Sequence, residues 1–230
     1  MGLADVRAGL VPDEGKPFVC AQVVIAIDGS ESTRDSGFQR QIQALDHALR
    51  HAELHQALQD CLPGSVALGL ITWSGPNQQS ICLPWSVVRN GGDLALTAFA
   101  LQSCRYIGGT TDIGAAVIYA LRMLSSAPYE SYYRSVLLLT NGRTDRGAEA
   151  RLMAARQAAD RAKITLVGHA LLRKSRSWLG QGRPDHEPLR DYVARNITAG
   201  PRAFWSASDL PADWREILNT LVRMLRQELN

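Results

Sequence analysis

Long apolar runs are missing from this chain of 230 residues, and so is a strong excess of charge of either sign. No stretch is apolar enough to span a membrane, and residues 1–16 contain no hydrophobic core of a signal peptide. The formal net charge of +3 gives no indication of a nucleic-acid partner. As it stands, the sequence predicts a cytoplasmic protein, or a periplasmic or exported one if a signal peptide has been removed.

Cysteine is scarce, with four residues at positions 20, 61, 82 and 104. None of them forms a Cys-x-x-Cys pair, which argues against a zinc site or a thioredoxin-like redox motif. The even number permits two disulfide bonds, but this density is far below that of a disulfide-stabilised scaffold. We therefore expect buried free thiols.

Sequence motifs for catalysis are absent as well. There is no Gly-x-x-x-x-Gly-Lys phosphate loop, no Gly-x-Gly-x-x-Gly fingerprint and no Gly-x-Ser-x-Gly nucleophile elbow. His47, His51 and His55 recur every four residues, which predicts a solvated helix face, and the following glutamate is misplaced for a zincin motif. Arg143 and Asp145 alone are too few groups for an active site, so the sequence predicts a protein that is not an enzyme.

The chain does contain a regular alternation of strand-like and helix-like segments. Hydrophobic residues make up 46% of it, enough for one substantial core. A short connection at Gly75 predicts a hairpin, and hence one antiparallel strand at the edge of a mainly parallel sheet. Repeated strand–helix units predict a doubly wound, Rossmann-like α/β fold with helices on both faces. We assign residues 1–20 to an N-terminal extension and residues 21–230 to the domain.

The individual elements follow from apolar periodicity and turn residues. Helices are predicted at 34–58, 94–101, 113–125, 148–162, 191–196 and 209–229. Strands are predicted at 23–27, 65–72, 81–88, 136–140, 164–171 and 203–206. Residues 174–190 are predicted to form a polar loop, and Trp73 and Trp85, in or beside strands, are predicted to pack in the fold.

The most informative segment is Asp28-Gly29-Ser30-Glu31-Ser32, which directly follows the apolar run 23–27. In open α/β sheets, ligands bind just outside the carboxyl ends of the strands. A carboxylate and two hydroxyls at such an end are hard oxygen donors, which suit Mg²⁺ or Mn²⁺. The alternative is that Asp28, Ser30 and Ser32 only cap the next helix.

Two further segments contain polar groups, one just before the predicted helix at 113–125 and one at the end of the predicted strand at 136–140. In residues 108–116, two glycines allow a close backbone approach, and a threonine hydroxyl supplies another oxygen. In residues 135–142, a continuous apolar strand ends in Thr140, Asn141 and Gly142. Each segment taken alone is also explained by a helix cap or a turn. The three segments in this order favour one shared site.

These three motifs together resemble the von Willebrand factor A domain with its metal-ion-dependent adhesion site. The chain is similar to the bacterial DUF1194 group through Trp73-Ser74-Gly75-Pro76 with Gln78-Gln79, Leu83-Pro84-Trp85 and Gly200-Pro201-Arg202-Ala203-Phe204. The resemblance covers roughly residues 23–229. It implies a site for Mg²⁺ or Mn²⁺ formed by Asp28, Ser30, Ser32, Thr111 and Asn141. It also implies an open coordination position for a Glu or Asp carboxylate of a partner protein.

One position departs from the family pattern, because Asn141 stands where the family usually has aspartate. Asparagine keeps a carbonyl oxygen but loses the charge, so we expect weaker metal binding, with Asn141 behind the direct ligands or acting through water. Asp112 and Asp145 are close enough in sequence to compensate. The ligand is Thr110 or Thr111, and the resemblance favours Thr111, because the segment that begins with it keeps the family's spacing into the next helix. A metal-free assembly scaffold and a metal-dependent hydrolase are the alternative functions.

Overall fold

The structure is a computed structural model, and it describes residues 15–172, 188–209 and 213–226. The strands are β1 (Phe18–Asp28), β2 (Val66–Trp73), β3 (Gln79–Val88), β4 (Glu130–Thr140), β5 (Thr165–Leu172) and β6 (Trp205–Asp209). The helices are α1 (Arg34–Leu49), α2 (Ala52–Asp60), α3 (Gly91–Ala100), α4 (Ile113–Ser125), α5 (Glu149–Arg161), α6 (Leu189–Asn196) and α7 (Trp214–Arg226). A single 3-10 turn, Leu101–Ser103, follows α3.

These strands form one sheet in the order β3-β2-β1-β4-β5-β6. Neighbouring strands are parallel, except that β2 and β3 pair antiparallel at the edge. From β1 the chain first adds strands on one side as far as β3, and then on the other side from β4 to β6. The predicted doubly wound sheet with one antiparallel edge strand is therefore confirmed.

Helices cover both faces of this sheet, and each face has its own apolar core. On one face, side chains such as Leu45 of α1 and Ile217 of α7 pack against the sheet. On the other face, Val117 of α4 and Val193 of α6 do the same. β1 lies in the middle and is buried from Val19 to Asp28, which explains why a continuous apolar run, rather than an alternating one, marks it in the sequence.

The predicted helix at 34–58 is wrong, because the chain forms two helices there. α1 ends at Leu49, and His51 caps the start of α2 with its Nδ1, which accepts a hydrogen bond of 3.3 Å from the Glu53 amide. The backbone of His51 is extended, and its ring lies against Trp214 of α7 at a centroid distance of 5.3 Å. The histidine series therefore does not form one solvated helix face.

The prediction of free thiols is also wrong. Cys20 in β1 is bonded to Cys61 after α2, and Cys82 in β3 is bonded to Cys104. The pairs are 41 and 22 residues apart in sequence, so only the fold brings their Cα atoms to 5.8 and 4.9 Å. The second disulfide ties the segment after α3 to the outer strand β3, where Ser103 Oγ also donates to the Cys82 carbonyl at 2.9 Å. The segment after α3 therefore covers part of the outer edge of β3, which would otherwise be an exposed sheet edge.

Several boundaries differ from the sequence prediction. β6 occupies Trp205–Asp209 rather than 203–206, and the last helix is described from Trp214 rather than from residue 209. Most of the predicted polar loop and of the N-terminal extension, residues 174–187 and 1–14, lies outside the described residues. Trp73 is fully buried, as predicted for a packing residue. None of the described helices is both long and apolar enough to cross a bilayer.

A fully buried histidine links β5, β6 and α7. His169 Nδ1 lies 2.7 Å from Ser206 Oγ, and its Nε2 lies 3.0 Å from Ser208 Oγ. Thr220 of α7 completes the group, with its Oγ1 2.8 Å from Ser206 Oγ. All of these partners are neutral hydroxyls, so burial lowers the pKa of His169 from 6.5 to about 4.

The buried histidine makes stability depend on pH. Between pH 6.5 and 4 the unfolded chain binds the proton of His169 and the folded chain does not, so stability falls as the pH falls through this range. The loss amounts to about 3 kcal/mol of unfolding free energy. Urea denaturation at several pH values is expected to show that the unfolding free energy of the wild type, relative to that of His169→Gln, falls by this amount between pH 6.5 and 4. Identical pH profiles of the two proteins would contradict the assignment.

Candidate metal site

The winding of the sheet reverses between β1 and β4, so the carboxyl ends of these two strands border a crevice. Asp28 is the last residue of β1, and Thr140 is the last residue of β4. The Thr140 hydroxyl donates a hydrogen bond of 2.8 Å to Asp28 Oδ2. Two of the strand ends that the sequence predicted to share a site are therefore in direct contact.

The Asp28 carboxylate is fully buried, and its hydrogen-bond donors are all neutral. Besides the Thr140 hydroxyl, the Ser30 amide donates to Oδ1 at 2.9 Å, and the Asn141 amide donates to Oδ2 at 3.4 Å. No basic side chain pairs with this carboxylate within the described ranges. Burial raises the pKa of Asp28, and the hydrogen bonds offset this rise only in part. A cation bound here would compensate a buried negative charge that no described basic side chain pairs with.

A chain of side-chain hydrogen bonds leads from Ser30 to Asn141. Ser30 Oγ lies 3.2 Å from Ser32 Oγ, and Ser32 Oγ donates to Asn141 Oδ1 at 2.9 Å. Thr33 Oγ1 donates to the same amide oxygen at 3.1 Å. Asn141 Oδ1 thus accepts the hydroxyl protons of Ser32 and Thr33, so Ser30 is the donor in its contact with Ser32 Oγ. The neutral amide can do this as well as a carboxylate could.

The Gly-Gly-Thr segment is fastened to the loop after β1 by backbone hydrogen bonds. The Gly108 amide donates to the Gly29 carbonyl at 2.8 Å, and the Glu31 amide donates to the Gly109 carbonyl at 2.9 Å. Gly108 and Gly109 have φ angles of +75° and +84°, which glycine adopts without a steric penalty. The two glycines that the sequence marked therefore provide the left-handed backbone of this segment, which its hydrogen bonds join to the loop after β1.

Thr111 is held at the same edge of the sheet by Asp145, from the loop between β4 and α5. The Thr111 amide donates to Asp145 Oδ2 at 2.9 Å, and the Asp145 amide donates to the Thr111 carbonyl at 2.8 Å. Thr111, Ser32 and Asp145 line one open groove together with Glu31 and Arg34. Of the five predicted ligands, Ser32 and Thr111 line this groove, and no hydrogen bond joins the Thr111 side chain to Asp28.

Asp112 is committed to another role. Its Oδ1 accepts a hydrogen bond of 2.8 Å from the Ala115 amide and so caps the start of α4. Its Oδ2 is in close contact with Arg151 Nη1 of α5. Of the two carboxylates considered as substitutes for the missing aspartate, only Asp145 lines the groove.

Sequence reasoning missed two residues that position the site. Thr33 contacts Asn141, as described above, and Gln41 of α1 donates from Nε2 to the Asp28 carbonyl at 2.9 Å. Gln41 is fully buried in a stripe that also contains Phe38 and Leu45. A polar residue within an apolar helix stripe was the signal that would have marked it, because a buried amide needs a partner.

The donor chemistry fits a hard divalent cation. Within the described ranges, no three side chains of His, Cys, Asp or Glu gather into a cluster, so a zinc-type site is not formed there. The groups that converge are instead a carboxylate, Asp28, and the hydroxyls of Ser30 and Ser32, with Thr111 nearby. Oxygen donors of this kind suit Mg²⁺ or Mn²⁺, which commonly retain several bound waters.

The fit between α4 and α5 next to Thr111 depends on Gly114. A Cβ atom at this position would lie 2.5 Å from the Leu152 amide nitrogen and 2.7 Å from the Arg151 carbonyl carbon, both backbone atoms. Gly114→Ala is expected to lower the unfolding free energy by about 1–3 kcal/mol, measured by urea denaturation. Gly37→Ala is the control, because its Cβ meets only Thr33 Cγ2 at 3.4 Å. Equal stabilisation of both variants would contradict the claim that α4 and α5 leave no room for a Cβ atom at position 114.

The strand order, the antiparallel edge and the site at the switch point define a von Willebrand factor A fold. Solved structures that share it include the pilus adhesin SpaC from Lactobacillus rhamnosus GG, with a TM-score of 0.58 and 12% sequence identity. A von Willebrand factor type A protein from Catenulispora acidiphila has a TM-score of 0.55 and 16% identity. The vWF domain of the pili tip protein Mfa5 from Porphyromonas gingivalis has a TM-score of 0.54 and 10% identity. These matches cover 94%, 92% and 90% of this chain, and 31%, 43% and 97% of the respective structures. The chain thus spans less than half of the first two. At such identities the likeness concerns the fold alone.

The chain belongs to the family described as "Protein of unknown function (DUF1194)", whose model matches residues 19–229. The match covers nearly the whole chain, including every segment that carried the resemblance in the sequence. Its fold is that of a von Willebrand factor A domain.

Proposed function

We propose that this protein is a metal-dependent protein-binding module, which captures a Glu or Asp side chain of a partner protein through Mg²⁺ or Mn²⁺. The observation that carries the proposal is the fully buried Asp28 carboxylate, which lies at the switch point of the sheet with only neutral donors. Ser32 and Thr111 line the open groove beside it, so a partner side chain has access to this edge.

Each residue of the site has a distinct role in this proposal. Asp28 provides the negative charge, and Ser30, Ser32 and Thr111 provide neutral oxygens, some of them through water. When bound, the cation supplies an electrophilic coordination position for an incoming carboxylate. Asp28 is the only carboxylate among the five predicted ligands, because Asn141 is neutral. A divalent cation bound to them therefore keeps a net positive charge. An acidic partner side chain is therefore favoured over a neutral one.

The similarity to an adhesin and to a pili tip domain supports a protein-interaction module. A metal-free assembly scaffold is the second candidate, because the hydrogen bonds from Ser32 and Thr33 to Asn141 form without a cation. A hydrolase would need a base near Asp28. The fully buried His169 is instead engaged with the hydroxyls of β6.

Water-proton relaxation with Mn²⁺ tests both the metal and the open coordination position. Bound Mn²⁺ is expected to enhance relaxation, and acetyl-Gly-Glu-Gly-amide is expected to reduce this enhancement, because its carboxylate displaces a bound water. The matched peptide with Gln in place of Glu is expected to have no effect. No enhancement at millimolar Mn²⁺ would contradict the metal site and favour the scaffold. An enhancement that neither peptide changes would contradict the capture of a carboxylate.

Restoring the family aspartate is expected to strengthen metal binding. Asn141→Asp adds a second negative charge beside Asp28, so the affinity for Mg²⁺, measured by titration calorimetry, should rise at least about tenfold. With chelator, the same variant should be less stable than the wild type, because two unpaired carboxylates then repel each other. Asn90→Asp is the matched control, since Asn90 caps α3 and aspartate is an equally good cap. Unchanged affinity in Asn141→Asp would contradict the ligand assignment.

A further inference from the structure

A second groove runs along α4, on the side of this helix that faces the β2–β3 hairpin. Asn77, Arg122 and Arg151 line one end of it, and Ile81, Trp85 and Met123 line the other. Tyr119 and Arg122 line both ends, so the two parts are continuous. The groove, called the α4 groove below, is separate from the candidate metal site, which is lined by other residues.

The two ends of the α4 groove differ in chemistry. At the polar end, the Arg122 side chain has no hydrogen-bond or ion-pair partner among the described residues, and Arg151 is partly neutralised by its contact with Asp112. Among the described residues that line either end, none is a carboxylate. At the apolar end, Ile81 is 45% exposed, and Trp85 is half-buried against the ring of Tyr129. The groove therefore offers an unpaired positive charge next to exposed apolar surface.

The length of the groove fits a short stretch of extended polypeptide. Its lining residues on α4 and at the cap of this helix run from Ala115 to Ser126, which at the rise of an α-helix is about 16 Å. An extended peptide of about five residues has this length. Addition of a strand along the outer edge of β3 is disfavoured, because the Cys82–Cys104 disulfide and Ser103 cover part of that edge. A peptide would lie along the α4 face of the hairpin instead.

We propose that the α4 groove binds an extended segment of a partner protein that contains an acidic residue and a large apolar residue. The acidic side chain pairs with Arg122, which has no other side-chain partner in the described part of the chain, and the apolar side chain packs between Ile81 and Trp85. Charge complementarity selects this segment, since the lining residues that the structure describes carry positive charge and no negative charge. The proposal is independent of metal binding, because no candidate metal ligand lines the groove.

Fluorescent pentapeptides with one Asp and one Phe, separated by zero, one or two residues, are the probes for this test. Binding is measured in the presence of EDTA, so that the metal site does not contribute. Arg122→Gln is expected to weaken binding of the best Asp-containing peptide about fivefold, the upper range for a surface ion pair. Arg122→Gln should leave the binding of the matched Asn-containing peptide unchanged. Ile81→Ser should weaken the binding of the Phe-containing peptide and leave the binding of its Ala-containing counterpart unchanged. Arg161→Gln, an exposed site elsewhere on α5, is the control.

Several outcomes would overturn the proposal. They are the absence of binding by any peptide at millimolar concentration, equal weakening by Arg161→Gln, and equal binding of the Asp and Asn peptides to the wild type. Binding of 3-phenylpropionate as tight as that of the peptides would assign the groove to small organic acids. A dimer that Arg122→Gln dissociates would assign it to a second copy of this chain. Unchanged melting temperatures of the variants will show that each of them is folded.

Discussion

Asp28→Asn is expected to abolish the stabilisation of the protein by Mg²⁺ or Mn²⁺. A metal that binds only the folded state, at about a hundred times its Kd, adds about 2.7 kcal/mol to the unfolding free energy. For a domain of this size, that corresponds to a rise in Tm of roughly 5 to 11 °C. The variant loses the only carboxylate among the predicted ligands and should melt at the same temperature with metal and with chelator.

The same substitution is expected to have the opposite effect in the absence of metal. The Asp28 carboxylate is buried among neutral donors, so replacing it by a neutral amide of the same shape removes the cost of burying a charge. With EDTA, Asp28→Asn should therefore be at least as stable as the wild type. Asp46→Asn is the matched control, since Asp46 is a surface residue paired with Arg50. If Asp28→Asn retained the full metal-induced shift, the predicted site would be wrong.

Removal of the Cys20–Cys61 disulfide is expected to cost about 4 kcal/mol of unfolding free energy. The bond closes a loop of 41 residues, and its loss increases the conformational entropy of the unfolded chain. Urea denaturation of Cys20→Ala/Cys61→Ala measures this loss. Cys82→Ala/Cys104→Ala, with a loop of 22 residues, should lose about 3 kcal/mol.

Comparison of the oxidised and reduced wild type is the control for packing changes in the alanine variants. Equal denaturation midpoints with and without a reductant would show that the thiols are free and would contradict both disulfides. Disulfides persist in oxidising compartments. Of the two locations considered from the sequence, they favour the periplasmic or exported one.

The general architecture could be predicted because it depends on patterns that are local in the sequence. The apolar run before Asp28 predicts a central strand, since both faces of such a strand are buried. The predicted bounds of α4, residues 113–125, agree with the structure, because its apolar residues mark them in the sequence, although only the structure shows that Asp112 caps it. The position of Asp28 at the switch point follows from its place at the end of that strand.

Other features could not be predicted, because they depend on contacts between distant segments. The break between α1 and α2 at His51 is stabilised by a contact with Trp214, 163 positions further along the chain. The disulfide partners are likewise set by the distances between strands and loops, which cysteine spacing does not reveal.

Hydrophobic periodicity and the polar residues at strand ends were sufficient to predict the α/β class and the doubly wound sheet. They also predicted that Asp28, Ser30 and Ser32 lie at the carboxyl end of the first strand. The folded arrangement alone shows that Asp28 is buried with no basic partner among residues 15–172, 188–209 and 213–226, and that Asn141 accepts protons from Ser32 and Thr33. The reason is physical: burial and hydrogen bonding between residues more than 100 positions apart arise only when β1 and β4 lie side by side.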